Sequence, residues 1–139
     1  MMRYAKREAR EFAQQNFTGI WAAVPTPFTD QLQIDEAGFA RNLRHWFEVL
    51  EVDGIFVGGK QGEFFSLSVA ERKRLFAMAV AGLESLHRPG SVILSCSDQN
   101  LDVVLELAHQ AEQRGADYIV VHSPVLHFGH DVEATVYEY

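Results

Sequence analysis

Four short apolar runs alternate with four stretches of helical periodicity along this 139-residue chain. "GIWAAVPTPF" (19–28) opens with a strand that Pro25 and Pro27 must end, because proline cannot donate to a sheet ladder. Residues 35–50 place Phe39, Leu43, Phe47 and Leu50 at helical spacing. A second strand is "GIFV" (54–57). Ser68 and Glu71 make a capping-box pattern, which predicts a helix carrying Leu75, Ala79, Val80, Leu83 and Leu86. After the turn "HRPG" (87–90) comes a third strand, "SVILS" (91–95). The next helix covers 101–114, with Leu101, Val104, Leu105, Ala108 and Ala111 facing inward and Gly115 stopping it. "DYIVVHS" (117–123) is a fourth strand broken by Pro124, and residues 131–139 start a fourth helix.

The order is β-α-β-α-β-α-β-α. Strands this short and continuously apolar imply a parallel sheet buried on both faces. Strand starts near 19, 54, 91 and 117 suit βα units. An open doubly wound sheet and a (β/α)8 barrel share this pattern, and periodicity does not separate them. Four strands would complete an open sheet, whereas a barrel needs eight units and ~250 residues.

The length is one domain's worth of chain. A net charge of −7 argues against nucleic acid as a partner. The single cysteine, Cys96, allows no disulfide within the chain, which fits a reducing, cytoplasmic setting. No apolar run approaches a membrane span, and the first residues lack the apolar segment of a secretory signal. Residues 1–16 read as a helical extension with Tyr4, Ala5, Ala9, Phe12 and Ala13 on one face, and residues 17–139 as the domain.

The loop "VGGKQGEF" (57–64) sets three glycines among a cation, an amide and a carboxylate, directly after a strand. Glycine permits positive φ and close backbone approach. Successive amides in such a loop can cradle an anion, and a tight strand-to-helix turn with no ligand is the plain alternative. His122, His127 and His130 gather near Asp131 and Glu133, residue types that bind zinc. Their H-x4-H-x2-H spacing matches no ligand signature, so solvated loop histidines are expected and no metal. His45, His87 and His109 are expected at the surface. Cys96 is expected to be a small buried filler, Trp21 and Trp46 core residues, and "ERKR" (71–74) a solvated helix face.

"GIWAAVPTPF" resembles the first strand of the dihydrodipicolinate synthase / N-acetylneuraminate lyase family. "VDGIFVGGKQGEFFSLSVAERKRL" resembles that family's second strand, its G-T-T-G-E loop and the following helix, and "GADYIVVHSP" resembles its fourth strand. The resemblance covers roughly residues 17–139. It implies a (β/α)8 TIM barrel, of which this chain would hold the N-terminal half, about four β/α units. It also implies a class I lyase or aldolase that binds pyruvate, or another 2-oxo acid, as a Schiff base on a lysine. That lysine and a relay tyrosine belong to the family's sixth and fifth strands, beyond Tyr139, so no catalytic residue is expected here. Lys6 and Lys73 are not plausible substitutes.

By the same resemblance, Gly59, Lys60, Gln61 and Gly62 would bind the substrate carboxylate. Gly59, Gly62 and Glu63 match the family loop, while Lys60 and Gln61 replace its two threonines. Loss of the first threonine removes a hydroxyl relay, and Val125 and Leu126 replace a Tyr-Tyr pair. Both departures point away from synthase chemistry proper. No cofactor is implied, and a homo-oligomer is. Two other readings stand beside this one: a non-catalytic open α/β binding module or self-associating truncated product, and a metal-dependent aldolase.

Overall fold

The structure, a computed structural model, describes residues 5–122. Helix α1 (Ala9–Asn16) precedes a sheet of four parallel strands: β1 (Trp21–Ala23), β2 (Gly54–Val57), β3 (Ser91–Ser95) and β4 (Tyr118–Val120). Helices α2 (Glu36–Arg44), α3 (Val69–Glu84) and α4 (Leu101–Arg114) make the three crossovers. The strand order is β1-β2-β3-β4.

That order decides between the two architectures. Each crossover steps one strand in the same direction, so crossovers of one hand deliver every helix to the same face. A doubly wound sheet reverses direction at a switch point and carries helices on both faces. No reversal occurs among the described strands. The arrangement is that of consecutive units of a (β/α)8 barrel.

Side chains alternate across each strand. Ala22, Val24, Ile55, Val57, Val92, Leu94 and Cys96 join Phe39, Leu43, Phe47, Leu75, Phe76, Ala79, Leu107 and Ala111 in one core under the helices. The opposite face carries the registered row Ala23, Phe56, Ile93 and Tyr118. At the N-terminal end of the strands the rings of Trp21 and Tyr118 meet 5.7 Å apart. Phe17 lies 4.5 Å from Trp21 and 5.3 Å from Tyr118, and Phe12 of α1 lies 6.5 Å from Tyr118. The extension therefore packs against the N-terminal end of the sheet. Trp21, expected in the core, is half-buried in this cluster instead, and Trp46 is half-buried edge-on to Phe39.

Local signals place most of the elements. Ser68 and Glu71 form the reciprocal capping box, and the bonds from Ser68 hold the Glu71 carboxyl below its ordinary pKa. Asp35 caps α2 by accepting from the Gly38 amide, and Gly115 closes α4 at φ 78°. The strands at 54–57 and 91–95 and the helix at 101–114 lie where the sequence puts them. The first and fourth strands are shorter than "GIWAAVPTPF" and "DYIVVHS" suggest.

Three inward-facing assignments and one outward-facing one need correction. Leu50 is 56% exposed, because α2 widens into a π turn over His45–Val49, closed by Leu50 N–H to His45 C=O. The wider turn rotates Leu50 outward, and Val52 is buried instead. On α4, Leu101 and Leu105 are exposed, and Leu107, absent from the expected face, is fully buried with Ala111. The apolar stripe of α4 is wider than the surface that covers it, and packing selects Val104, Leu107 and Ala111. Finally, "ERKR" is not a solvated face throughout. Arg72 is buried, while Lys73 pairs with Glu106 and Arg74 with Glu36 at the surface. The helix expected at 131–139 lies outside the described residues.

Candidate functional site

The C-terminal ends of β1, β2 and β3 bring three loops together, the end of such a sheet where ligands bind. The loop after β2 is the centre. Gly58 takes φ 66°, a left-handed turn off the strand. Two turns follow, with Gly62 N–H donating to Gly59 C=O at 3.1 Å and Glu63 N–H to Lys60 C=O at 3.1 Å. Glu63 is itself left-handed, at φ 55°, and sends the chain into the short 3-10 turn Phe64–Ser66.

The back of this loop is pinned to backbone. A Cβ on Gly62 would lie 3.1 Å from the Gly58 nitrogen, 3.2 Å from Gly58 Cα and 3.2 Å from the Val24 carbonyl oxygen. Thr26, buried in the loop after β1, donates its hydroxyl to the Gly62 carbonyl at 2.8 Å. The front is open. Among the described residues the amides of Gly59, Lys60 and Gln61 donate to no acceptor. The side chains of Lys60 and Gln61 are exposed and unpartnered among those residues. Gly59 and Gly62 are buried. The four residues singled out from sequence therefore share one loop, two forming its floor and two its rim.

The loop after β3 carries buried hydroxyls. Ser97 accepts from the His122 amide at 2.9 Å, and its own hydroxyl lies 3.4 Å from the Val120 carbonyl. Ser95 is fully buried, its Cβ 3.9 Å from where a Gly58 Cβ would stand. Arg72 reaches between these loops from α3. It meets Asp98 at 3.0 Å and the carbonyls of Ser95 and Ser97 at 3.0 and 2.8 Å. Burial lowers the guanidinium's pKa from its ordinary value, and the Asp98 carboxylate opposes that shift. Sequence reading missed this residue. The signal was present: 72, 75, 76 and 79 lie on one helical face, so Arg72 shares the stripe of Leu75, Phe76 and Ala79.

Cys96 is fully buried beside the site, with its thiol pushed up to about 11 by burial. It is a packing residue, since a thiol is nucleophilic only as thiolate. Among the described residues no three histidine, cysteine or carboxylate side chains cluster as a metal site. His122 is exposed at the end of β4, and His45, His87 and His109 are exposed on the surface. His127, His130, Asp131, Glu133, Val125 and Leu126 lie outside the described residues. No helix among those described is long and apolar enough to cross a membrane.

Comparison with known proteins gives concordant results. The model of the dihydrodipicolinate synthetase family matches residues 16–137. An N-acetylneuraminate lyase of Actinobacillus pleuropneumoniae serotype 5b is 33% identical over 110 residues, covering 79% of this chain and 37% of the relative. Among solved structures, CdNal of Clostridium difficile, in complex with mannosamine, superposes with a TM-score of 0.79 at 32% identity, over 87% of this chain and 40% of that one. A prophage protein of the dihydrodipicolinic acid synthase family from E. coli K12, in complex with pyruvate, gives 0.76 at 35% identity, over 88% and 39%. The chain thus spans about two-fifths of the length of these relatives.

Proposed function

The chain belongs to the dihydrodipicolinate synthetase family, a family of Schiff-base lyases and aldolases, and on that premise we propose that it supplies the carboxylate-binding part of a lyase acting on pyruvate or another 2-oxo acid. One observation carries the reading. Three successive amides, of Gly59, Lys60 and Gln61, stand without acceptors among the described residues, in a loop pinned from behind at Gly62. Amides fixed in one concavity bind an anion without reorganising. Lys60 adds a charge-assisted bond from the rim, and Gln61 a neutral one.

Holding the carboxylate orients the adjacent carbonyl carbon for attack by an amine, an effect of position rather than of bond strength. The attacking lysine must be neutral. Lys73 is ion-paired to Glu106 on the helix side, away from the loop, and Lys60 serves binding. The Schiff-base lysine of this reading lies outside residues 1–139, and so does the relay tyrosine. Residues 17–139 form the barrel part and residues 1–16 an added arm. The working form is a cytoplasmic homo-oligomer that needs no cofactor. A self-contained open module is the weaker reading, because its helices would cover both faces of the sheet.

Titrating the isotope-labelled chain with pyruvate tests this. Shifts are expected at the amides of Gly59, Lys60 and Gln61. Borohydride added with pyruvate is expected to leave the mass of the chain unchanged. A reduced adduct on Lys60, or a titration that moves no amide of the loop, would overturn the proposal.

A further inference from the structure

We propose that Arg72 is a positioning residue for this cradle: it fixes the loop after β2 against the loop after β3 without touching ligand, a role that rests on the carboxylate reading above. Its side chain is 2% exposed. Both Nη atoms are engaged, with Nη1 on Asp98 Oδ2 at 3.0 Å and Nη2 donating to the carbonyls of Ser95 at 3.0 Å and Ser97 at 2.8 Å, while Nε is buried without a partner among the described residues. The guanidinium also sits 5.3 Å from the centre of the Phe64 ring. Phe64 directly follows the cradle and donates its amide back to the Gly59 carbonyl at 3.4 Å. One buried cation therefore joins the two loops. The link extends to the end of β4, because Ser97 accepts from the His122 amide.

The energetics favour a geometric role over a packing one. Burying a cation is costly unless its donors are satisfied, and an apolar side chain of the same length fills the space without that cost. What arginine adds is direction. Its rigid fork serves two carbonyls and a carboxylate at once, whereas a lysine ammonium on a flexible stem does not reproduce that pattern.

The test compares the native chain with Arg72→Met, Arg72→Lys and a control, Leu107→Ala, which loosens the core under α4 and removes no bond of either loop. Amide exchange is read at Gly62, Glu63 and Phe64 in the cradle, at Asn100 and His122 beyond it, and in β2 and β3. In Arg72→Met the cradle and its neighbours are expected to exchange faster together, relative to the strands. Pyruvate is expected to bind roughly tenfold more weakly or worse, by analogy with the ten- to hundredfold loss when a partner that orients a metal ligand is removed. Arg72→Lys is expected to fall between Arg72→Met and the native chain, and Leu107→Ala to leave the ratio of cradle to strand exchange unchanged. The proposal is refuted if Arg72→Met changes that ratio no more than Leu107→Ala does. Should Arg72→Met fail to fold, the same ratio in Arg72→Lys decides. Should the native chain show no pyruvate shifts, the carboxylate reading falls, and the exchange ratio still decides whether Arg72 couples the loops.

Discussion

Replacing Gly62 by alanine should destabilise the fold and the cradle together. The new Cβ would stand 3.1–3.2 Å from Gly58 N, Gly58 Cα and the Val24 carbonyl oxygen. All three are backbone atoms, so no rotamer change relieves the contact, and the loop must lift by a few tenths of an ångström. Overpacking of this kind costs roughly 1–3 kcal/mol. Lifting the loop also loosens the buried bond from Thr26 Oγ1 to the Gly62 carbonyl, a further ~1 kcal/mol. The sum is about 2–4 kcal/mol, a large part of the ~5–15 kcal/mol that holds a domain together. At roughly 3 °C per kcal/mol for a chain of this size, the melting temperature should fall by about 6–12 °C. Thermal and urea unfolding followed by circular dichroism measure this. Lys60→Ala is the companion variant: its exposed side chain should leave stability within ~0.5 kcal/mol while weakening pyruvate binding. A Gly62→Ala protein that melts with the native chain would show that the loop is not packed against Val24 and Gly58, and the argument for a pinned cradle would fail with it.

Other perturbations separate the core from its surroundings. Leu107→Ala should cost about 2–5 kcal/mol in a urea titration as a core truncation, whereas Leu105→Ala, half-exposed on the same helix, should stay within ~0.5 kcal/mol. Phe17→Ala should alter the near-UV circular dichroism of the aromatic cluster and cost on the order of 1 kcal/mol, since it removes two ring contacts at a half-exposed site. Cys96 should resist a thiol reagent at pH 8 until denaturant is added, then react as one thiol per chain. Its pKa is raised from 9.0 to about 11 in the folded state. The corresponding stability is therefore complete below pH 9 and is lost as pH rises from 9 towards 11, which unfolding titrations at those pH values measure.

Much of this molecule is legible along the chain because the relevant forces act between near neighbours. The reciprocal bonds of Ser68 and Glu71, the stop at Gly115, the prolines that end the first strand and the apolar runs at 54–57 and 91–95 all express local chemistry. The family resemblance is likewise carried by contiguous stretches of residues, among them the glycine loop that follows the second strand. Which face of a helix is buried was less legible. Leu105 and Leu107 both belong to the apolar side of α4, and only the neighbouring helix and sheet select Leu107. Leu50 was misjudged because a π turn changes the angular step per residue, which a fixed helical period does not anticipate.

Sequence alone determined the identity and order of the elements, since periodicity, caps and breakers are properties of residues a few positions apart. The tertiary structure alone decided that the strands add in one direction, which sends all three crossover helices to one face and makes the sheet part of a barrel. It likewise decided that Arg72 is buried between two loops. Its partners Ser95, Ser97 and Asp98 are 23–26 residues away in the chain, and only the packing of α3 on β3 brings a helix cation to the carbonyls at a strand's end.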